Sequence, residues 1–150
     1  DDIWAYGGDN VIDAGDGDDI VETGDGDDIL TGGLGQDILI GGEGRDVFIY
    51  RSADESGAGA ALRDVIEDFD AGTAGDSVDI LDFSSFVTGV FAFLGDETNA
   101  FDGGGNTQAR FNDQTKILEI DADGDAQVDM EIELTDTDGA ALDDSDFNVT

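Results

Sequence analysis

The sequence predicts an all-β protein whose first third is a stack of turn-and-strand units, and three observations lead there. Between residues 14 and 49 the chain restarts every nine residues, as AGDGDDIVE, TGDGDDILT, GGLGQDILI and GGEGRDVFI. Each unit opens with small residues and glycines and closes with an apolar pair, Ile20-Val21, Ile29-Leu30, Ile38-Leu39 or Val47-Phe48, which reads as a tight turn followed by a very short strand. Beyond residue 62 the period changes to the alternation of half-buried strands, clearest at Leu118 and Ile120 around Glu119 and at Val128, Met130, Ile132 and Leu134 around Asp129, Glu131 and Glu133.

A nine-residue turn-plus-strand has one apolar position to bury and nothing of its own to bury it against. Neighbouring units must therefore stack and share a core. Gly15, Gly17, Gly24, Gly26, Gly33, Gly35, Gly42 and Gly44 open backbone conformations closed to other residues and let carbonyl oxygens face the space between stacked turns. Asp19, Asp28, Asp37 and Asp46 recur at the sixth position and add carboxylate oxygens to those carbonyls. Oxygen-only ligands of this kind suit a hard, large, geometrically tolerant cation, calcium rather than zinc or copper. Glycine with aspartate also occurs in acidic linkers, but linker composition does not keep Asp and apolar residues in strict register over four units.

These four units resemble the nonapeptide GGxGxDxUx of the RTX proteins, a calcium-binding parallel β-helix repeat. The resemblance implies a parallel β-roll with two nonapeptides per turn, so that Asp19 shares an ion with Asp37 and Asp28 with Asp46, the glycine-turn carbonyls completing each site. Two degraded copies upstream place Asp2 and Asn10 among the candidate ligands, Asn10 standing where the repeat has Asp. Further on, Val47-Phe48-Ile49-Tyr50, Asp54-Glu55-Ser56, Asp64-Val65-Ile66-Glu67-Asp68-Phe69 and Asp76-Ser77-Val78-Asp79-Ile80 resemble the segment after the roll in serralysin-type secreted metalloproteases. The chain departs from that pattern at an insertion around residues 58–62 and at Ile80-Leu81-Asp82-Phe83. The implied organisation is a calcium-binding roll over residues 1–50 and a β-sandwich-like capping and secretion region over 51–150.

Composition bounds the function. With 39 Asp and Glu against 5 Lys and Arg, the formal charge is −34, which disfavours nucleic acid and anionic membranes by sign and favours divalent cations. High-salt adaptation would produce the same surface and is compatible with it. There is no cysteine, so calcium takes over the cross-linking role that disulfides play in other extracellular proteins. No stretch approaches the ~20 apolar residues of a membrane span. Histidine is absent, which removes the zinc-protease helix, the Ser-His dyad and the Cys-His pair, and the chain is expected to be non-enzymatic.

Three further stretches carry expectations. Val65–Phe69 and Val78–Phe83 read as strands joined by a turn at 70–76, and the apolar run at 86–94 as a buried strand. Asp64, Asp68 and Asp79 are candidates for a capping calcium between roll and sandwich, with solvated strand edges the competing reading. Asp121, Asp123, Asp125 and Asp129 copy the first part of an EF-hand loop, with Ala126 where that loop needs glycine and Ile132 where it needs glutamate; the competing reading is an Asp-rich hairpin turn. Arg110, one of the few cations, is expected to pair with a nearby carboxylate. The acidic residues 143–150, closing on apolar ones, resemble the uncleaved export signal recognised by a type I secretion apparatus, and also read as a last strand. The expected protein is a secreted, Gram-negative, non-catalytic module that folds on calcium after export, joined to a hydrolase such as a metalloprotease. The alternative is a calcium-dependent module of an adhesin or polysaccharide-modifying enzyme that binds cell-surface polysaccharide or protein.

Overall fold

The computed structural model describes residues 1–72, 78–96, 98–137 and 141–150. The repeats give β1 (Asp2–Ala5), β2 (Val11–Asp16), β3 (Ile20–Thr23), β4 (Ile29–Leu34), β5 (Ile38–Ile40) and β6 (Val47–Ile49). After them come β7 (Asp64–Ile66), β8 (Ile80–Asp82), β9 (Ala92–Asp96), β10 (Gln108–Asn112), β11 (Ile117–Asp121), β12 (Met130–Leu134) and β13 (Phe147–Asn148). Each nine-residue step carries the chain from one sheet to the other. One sheet has the order β1-β3-β5-β7-β12-β11-β10-β9, and the facing one β13-β8-β6-β4-β2.

Parallel pairing joins Ile20 to Ile38, Val11 to Ile29 and Ile29 to Val47, so one full turn of the roll takes two repeats. The eighth residue of each unit points inward: Val21 and Leu39 from one sheet meet Leu30 and Phe48 from the other, all essentially without solvent exposure. The seventh, such as Ile20 at 39% exposure, points out. A strand of three or four residues thus buries one large apolar side chain, which is why stacking is obligatory.

Both sheets run past the expected division at residue 50. β5 pairs in parallel with β7, Ile38 opposite Val65, and β6 with β8, Val47 opposite Ile80. β12 then adds parallel to β7, and β11 and β10 continue antiparallel as the alternating pattern at 117–134 predicts. Phe69, Phe83, Leu118, Ile120, Met130, Ile132 and Leu134 fill this half of the core. The strands expected at 65–69 and 78–83 contract to β7 and β8, and the turn at 70–76 lies largely outside the described residues.

The apolar run at 86–94 is not a buried strand. Phe83, Phe86, Phe91, Phe93 and Phe147 form an aromatic cluster with ring centroids 5.1–6.0 Å apart, and Val90 is 72% exposed. The rings reach the core from an irregular segment that Gly89 breaks with φ +69°, and only the last part of the run enters β9. The C-terminal run enters the facing sheet as β13, Phe147 opposite Leu81. Arg110 meets its expected carboxylate, Nε donating to Glu119 Oε2 at 2.6 Å, with the guanidinium over the Phe101 ring.

Stacking also explains the turn glycines. A Cβ on Gly33 would lie 1.9 Å from Gly15 O, and one on Gly35 2.1 Å from Gly17 O; Gly42 and Gly44 stand in the same relation to Gly24 and Gly26. Gly17 has positive φ but nothing within 4 Å of where a Cβ would stand, so it separates backbone strain from stacking. Gly17→Ala should cost about 1–2 kcal/mol for the left-handed conformation alone. Gly35→Ala should cost about 1–3 kcal/mol more for the carbonyl collision. Urea unfolding of the two variants in calcium checks the difference.

Candidate metal centre

The parallel stacking brings the sixth-position residues into two ladders, one beside each sheet. In the first, Asp19 N donates to Asp37 Oδ1 and Asp37 N to Asp64 Oδ1, both at 2.9 Å. In the second, Asn10 N donates to Asp28 Oδ1 at 2.6 Å, Asp28 N to Asp46 Oδ1 at 2.9 Å and Asp46 N to Asp79 Oδ1 at 2.8 Å. The carboxylates paired by the repeat, Asp19 with Asp37 and Asp28 with Asp46, are therefore neighbours in space.

In five of the ladder carboxylates only one oxygen is satisfied. The Oδ2 atoms of Asp19, Asp28, Asp37, Asp46 and Asp64 are buried with no hydrogen-bond partner. A buried carboxylate oxygen left in this state is costly, and it calls for a proton, a cation or a hydrogen-bond donor. The oxygen-rich surroundings fit calcium. Gly15, Gly17, Gly24 and Gly26 aim their carbonyls at the next turn, and Gly24 O also accepts from Glu43 N at 3.0 Å. Gly33, Gly35, Gly42 and Gly44 form the surface those carbonyls meet. Burial, then neighbouring carboxylates, pushes Asp37 and Asp46 up to about 6 against the backbone hydrogen bonds that pull them down.

The ends of the ladders differ. Asp64 N is capped by Ser56 Oγ at 2.8 Å, while its own Oδ2 stays free beside Tyr50 and Glu55, and burial raises it to about 8. The Tyr50 hydroxyl and the Asp64 carboxylate face each other without a hydrogen bond of normal geometry. Asp79, raised to about 7 chiefly by burial, spends both oxygens on backbone, its Oδ2 accepting from Asp70 N at 2.9 Å. Asp68 likewise accepts from Gly41 N at 3.0 Å and Gly42 N at 2.8 Å, and lines an acidic cavity of about 400 Å³ with Asp70 and Asp136. Of the three expected capping carboxylates, Asp64 alone has the free buried oxygen.

Asp2 is not in a ladder: it pairs with Ile20, an outward position, and Asp1 occupies the ladder row. A one-residue offset in a strand exchanges inside for outside. A second, exposed row is formed by the fifth position: Asp27 N donates to Asp9 Oδ1, Gln36 N to Asp18 Oδ1 and Arg45 N to Asp27 Oδ1, at 3.0–3.1 Å. The paired Asp18-Asp19 and Asp27-Asp28 carry its signal in the sequence. Glu55, mostly buried with Oε2 accepting from Arg51 N, had none.

In the acidic hairpin, Asp121, Asp123 and Asp129 bring carboxylate oxygens within 4.8 Å of one another. Asp121 is fully buried and accepts from the amides of Gly124, Asp125 and Ala126, while Asp129 accepts from Ala122 and Asp123. Asp125 turns away, accepting from Gln127. Ala126 adopts φ +72°, the left-handed conformation that the EF-hand glycine supplies.

A roll of stacked glycine turns edged by half-satisfied carboxylates defines a calcium-binding RTX module. The family described as Peptidase M10 serralysin C terminal matches residues 9–149, and the chain belongs to it. Among solved structures, the AlgE6R2 subunit of the Azotobacter vinelandii mannuronan C5-epimerase is similar with a TM-score of 0.59 and 25% identity, over 97% of this chain and 91% of that one. The AlgE6R3 subunit of the same enzyme follows at 0.52 and 24%, over 94% and 78%. No curated protein sequence matches significantly. Proteins of this family are secreted, and among the described residues no helix is long and apolar enough to cross a membrane.

The raised carboxyl groups fix a pH dependence. Their folded values lie above the ordinary 3.8, so the metal-free fold holds protons more tightly than the unfolded chain. This contribution is complete below about pH 4 and is lost as pH rises through about 6 to 8. In chelator, β circular dichroism should therefore be stronger at pH 5 than at pH 8. Calcium affinity should run the other way, weakening on acidification because protons compete for the same oxygens.

Proposed function

We propose that this chain is a non-catalytic folding module of a secreted protein, held open inside the cell and closed by calcium outside it. The observation that carries this reading is the set of five buried carboxylate oxygens without partners, three in one ladder and two in the other. Asp19 and Asp37, Asp28 and Asp46, and Asp64 with Glu55 are the carboxylates assigned to the ions, with turn carbonyls completing the coordination. The roll and the region after residue 50 are two functional parts that fold together because they share both sheets.

With a formal charge of −34, the chain without cations repels itself and stays extended enough to pass a type I secretion channel. Outside, calcium binds the folded form alone and adds RT ln(1 + [L]/Kd) per site, about 2.7 kcal/mol at 100-fold excess over Kd. Folding and metal binding become one event. The family supports attachment to a metalloprotease, and the chain contains no histidine with which to build such a centre itself. A second owner is favoured by the likeness to epimerase subunits: a polysaccharide-modifying enzyme in which this module is accessory.

Excess chelator at pH 8 should abolish the β signal and millimolar calcium restore it cooperatively; a chain equally folded in both sinks the proposal. The hairpin is assigned a separate, weaker calcium site at Asp121, Asp123 and Asp129. Asp123→Asn should remove one weakly bound ion in isothermal titration and leave the calcium midpoint of roll folding unchanged.

A further inference from the structure

One rung of the ladders lacks an Asp. At the head of the second ladder stands Asn10, whose side-chain nitrogen Nδ2 is surrounded by oxygen. It donates to Ala5 O at 3.0 Å, to Gly8 O, and to Asp28 Oδ1 at 3.2 Å. Ala5 lies five residues before Asn10, the position that Gly32 holds before Asp37 and Gly41 before Asp46. In those two turns the atom folded back against this position is the Asp Oδ2, 2.3 Å from where a Cβ on Gly32 or Gly41 would stand. Those are two of the oxygens with no partner.

Asn10 and these Asp residues thus hold corresponding positions in their turns, but their free side-chain ends are opposite in chemistry. An amide nitrogen is a donor with two N–H groups, whereas an ionised carboxylate oxygen only accepts. At Asn10 the two N–H groups are shared among Ala5 O, Gly8 O and Asp28 Oδ1, so the side-chain nitrogen is fully partnered. Where Asp37 and Asp46 stand, their own Oδ2 atoms have no partner. In the metal-free turn, reversing the amide would set its oxygen against two carbonyls, so these surroundings favour the orientation with Nδ2 inward.

We infer that Asn10 is a built-in substitute for a calcium ion, its amide closing the first rung of the second ladder without metal. The inference rests on the reading of the other rungs as calcium sites. The residue at the sixth position then decides loading: Asp requires an ion, and Asn replaces it. Carbonyls of the turn serve both cases, although the turn before Asn10 places its positive-φ residues at Gly7 and Gly8 where the Asp37 turn has them at Gly33 and Gly35.

The test uses the whole chain with calcium chloride as probe and reads stoichiometry by native mass spectrometry and the calcium midpoint of folding by circular dichroism. Asn10→Asp should bind one calcium more than wild type and need more calcium to fold. In the reverse direction, Asp37→Asn should bind one fewer and fold at a several-fold lower calcium midpoint than Asp37→Ala, whose truncated side chain donates nothing. Unchanged stoichiometry in Asn10→Asp beside a calcium-loaded wild type overturns this inference alone. If Asn10→Asp does not fold at any calcium concentration, the Asp37 pair decides, and Asp37→Asn behaving as Asp37→Ala overturns it. A wild type that binds no calcium overturns the parent reading and this one with it.

Discussion

The structure depends on a single repeated bond: the backbone N–H of each ladder residue donates to a carboxylate in the next turn of the roll. That bond fixes the register of the stack, because it spans eighteen residues between repeats and meets Asp only in the correct alignment. It also creates the problem the roll must solve. Every ladder carboxylate but Asp79 is drawn into a buried row by one oxygen and leaves the other without a partner. The same interaction that sets the geometry thus sets the demand for a cation, and position and chemistry cannot be separated in this fold.

Glycine is the second half of that constraint. Turns close enough to pass the ladder bond are too close for a Cβ, as the 1.9 and 2.1 Å separations at Gly33 and Gly35 show. The carbonyls that exclude the Cβ are the ones that face the neighbouring turn. A side chain there would push the turns apart and dissolve both the ladder and the oxygen cage. Where the stack ends, the chain changes the partners and keeps the pattern. Ser56 caps one ladder through Asp64, and Asp70 closes the other through Asp79. The two strands after the repeats take longer connections, with offsets of 27 and 33 residues in place of 18, yet still deliver an Asp to the row.

The roll was legible because its period is local. The sixth-position Asp, the inward eighth residue and the glycine turns each recur within nine letters, and the pairing Asp19 with Asp37 follows from two repeats per turn. The antiparallel hairpin at 117–134 was legible for the same reason, through alternation. What escaped reading depended on long-range contact. Asp64, Asp68 and Asp79 look alike in sequence as acids near strands, and they differ because backbone amides from residues 41, 42, 46 and 70 reach the last two and leave one oxygen of the first bare. Glu55 is one acid in an acidic chain until the short 3₁₀ turn at Ala53–Glu55 buries it next to Asp64. The run at 86–94 failed as a strand because aromatic rings can reach a core from a loop, a possibility that hydrophobicity alone does not distinguish. Asp2 failed by one residue, the smallest error a strand permits and one that inverts its face.

A fold of this kind is conditional by construction. Each nonapeptide orders nine residues and buries one large side chain, a poor return in hydrophobic burial against the backbone entropy it fixes. An ordinary sheet compensates with longer strands, but the strands here are only three to six residues long because the turns occupy the rest of each repeat. Adding apolar residues would lengthen the strands and carry the carboxylates out of register with the turns. Stability must then come from the turns themselves, and with acidic side chains and inward-facing carbonyls the turns repel until a positive charge is placed among them. On the proposed reading, the amide of Asn10 and an ion at the Asp rungs are two answers to one requirement, and the difference between them is that the ion can be withheld.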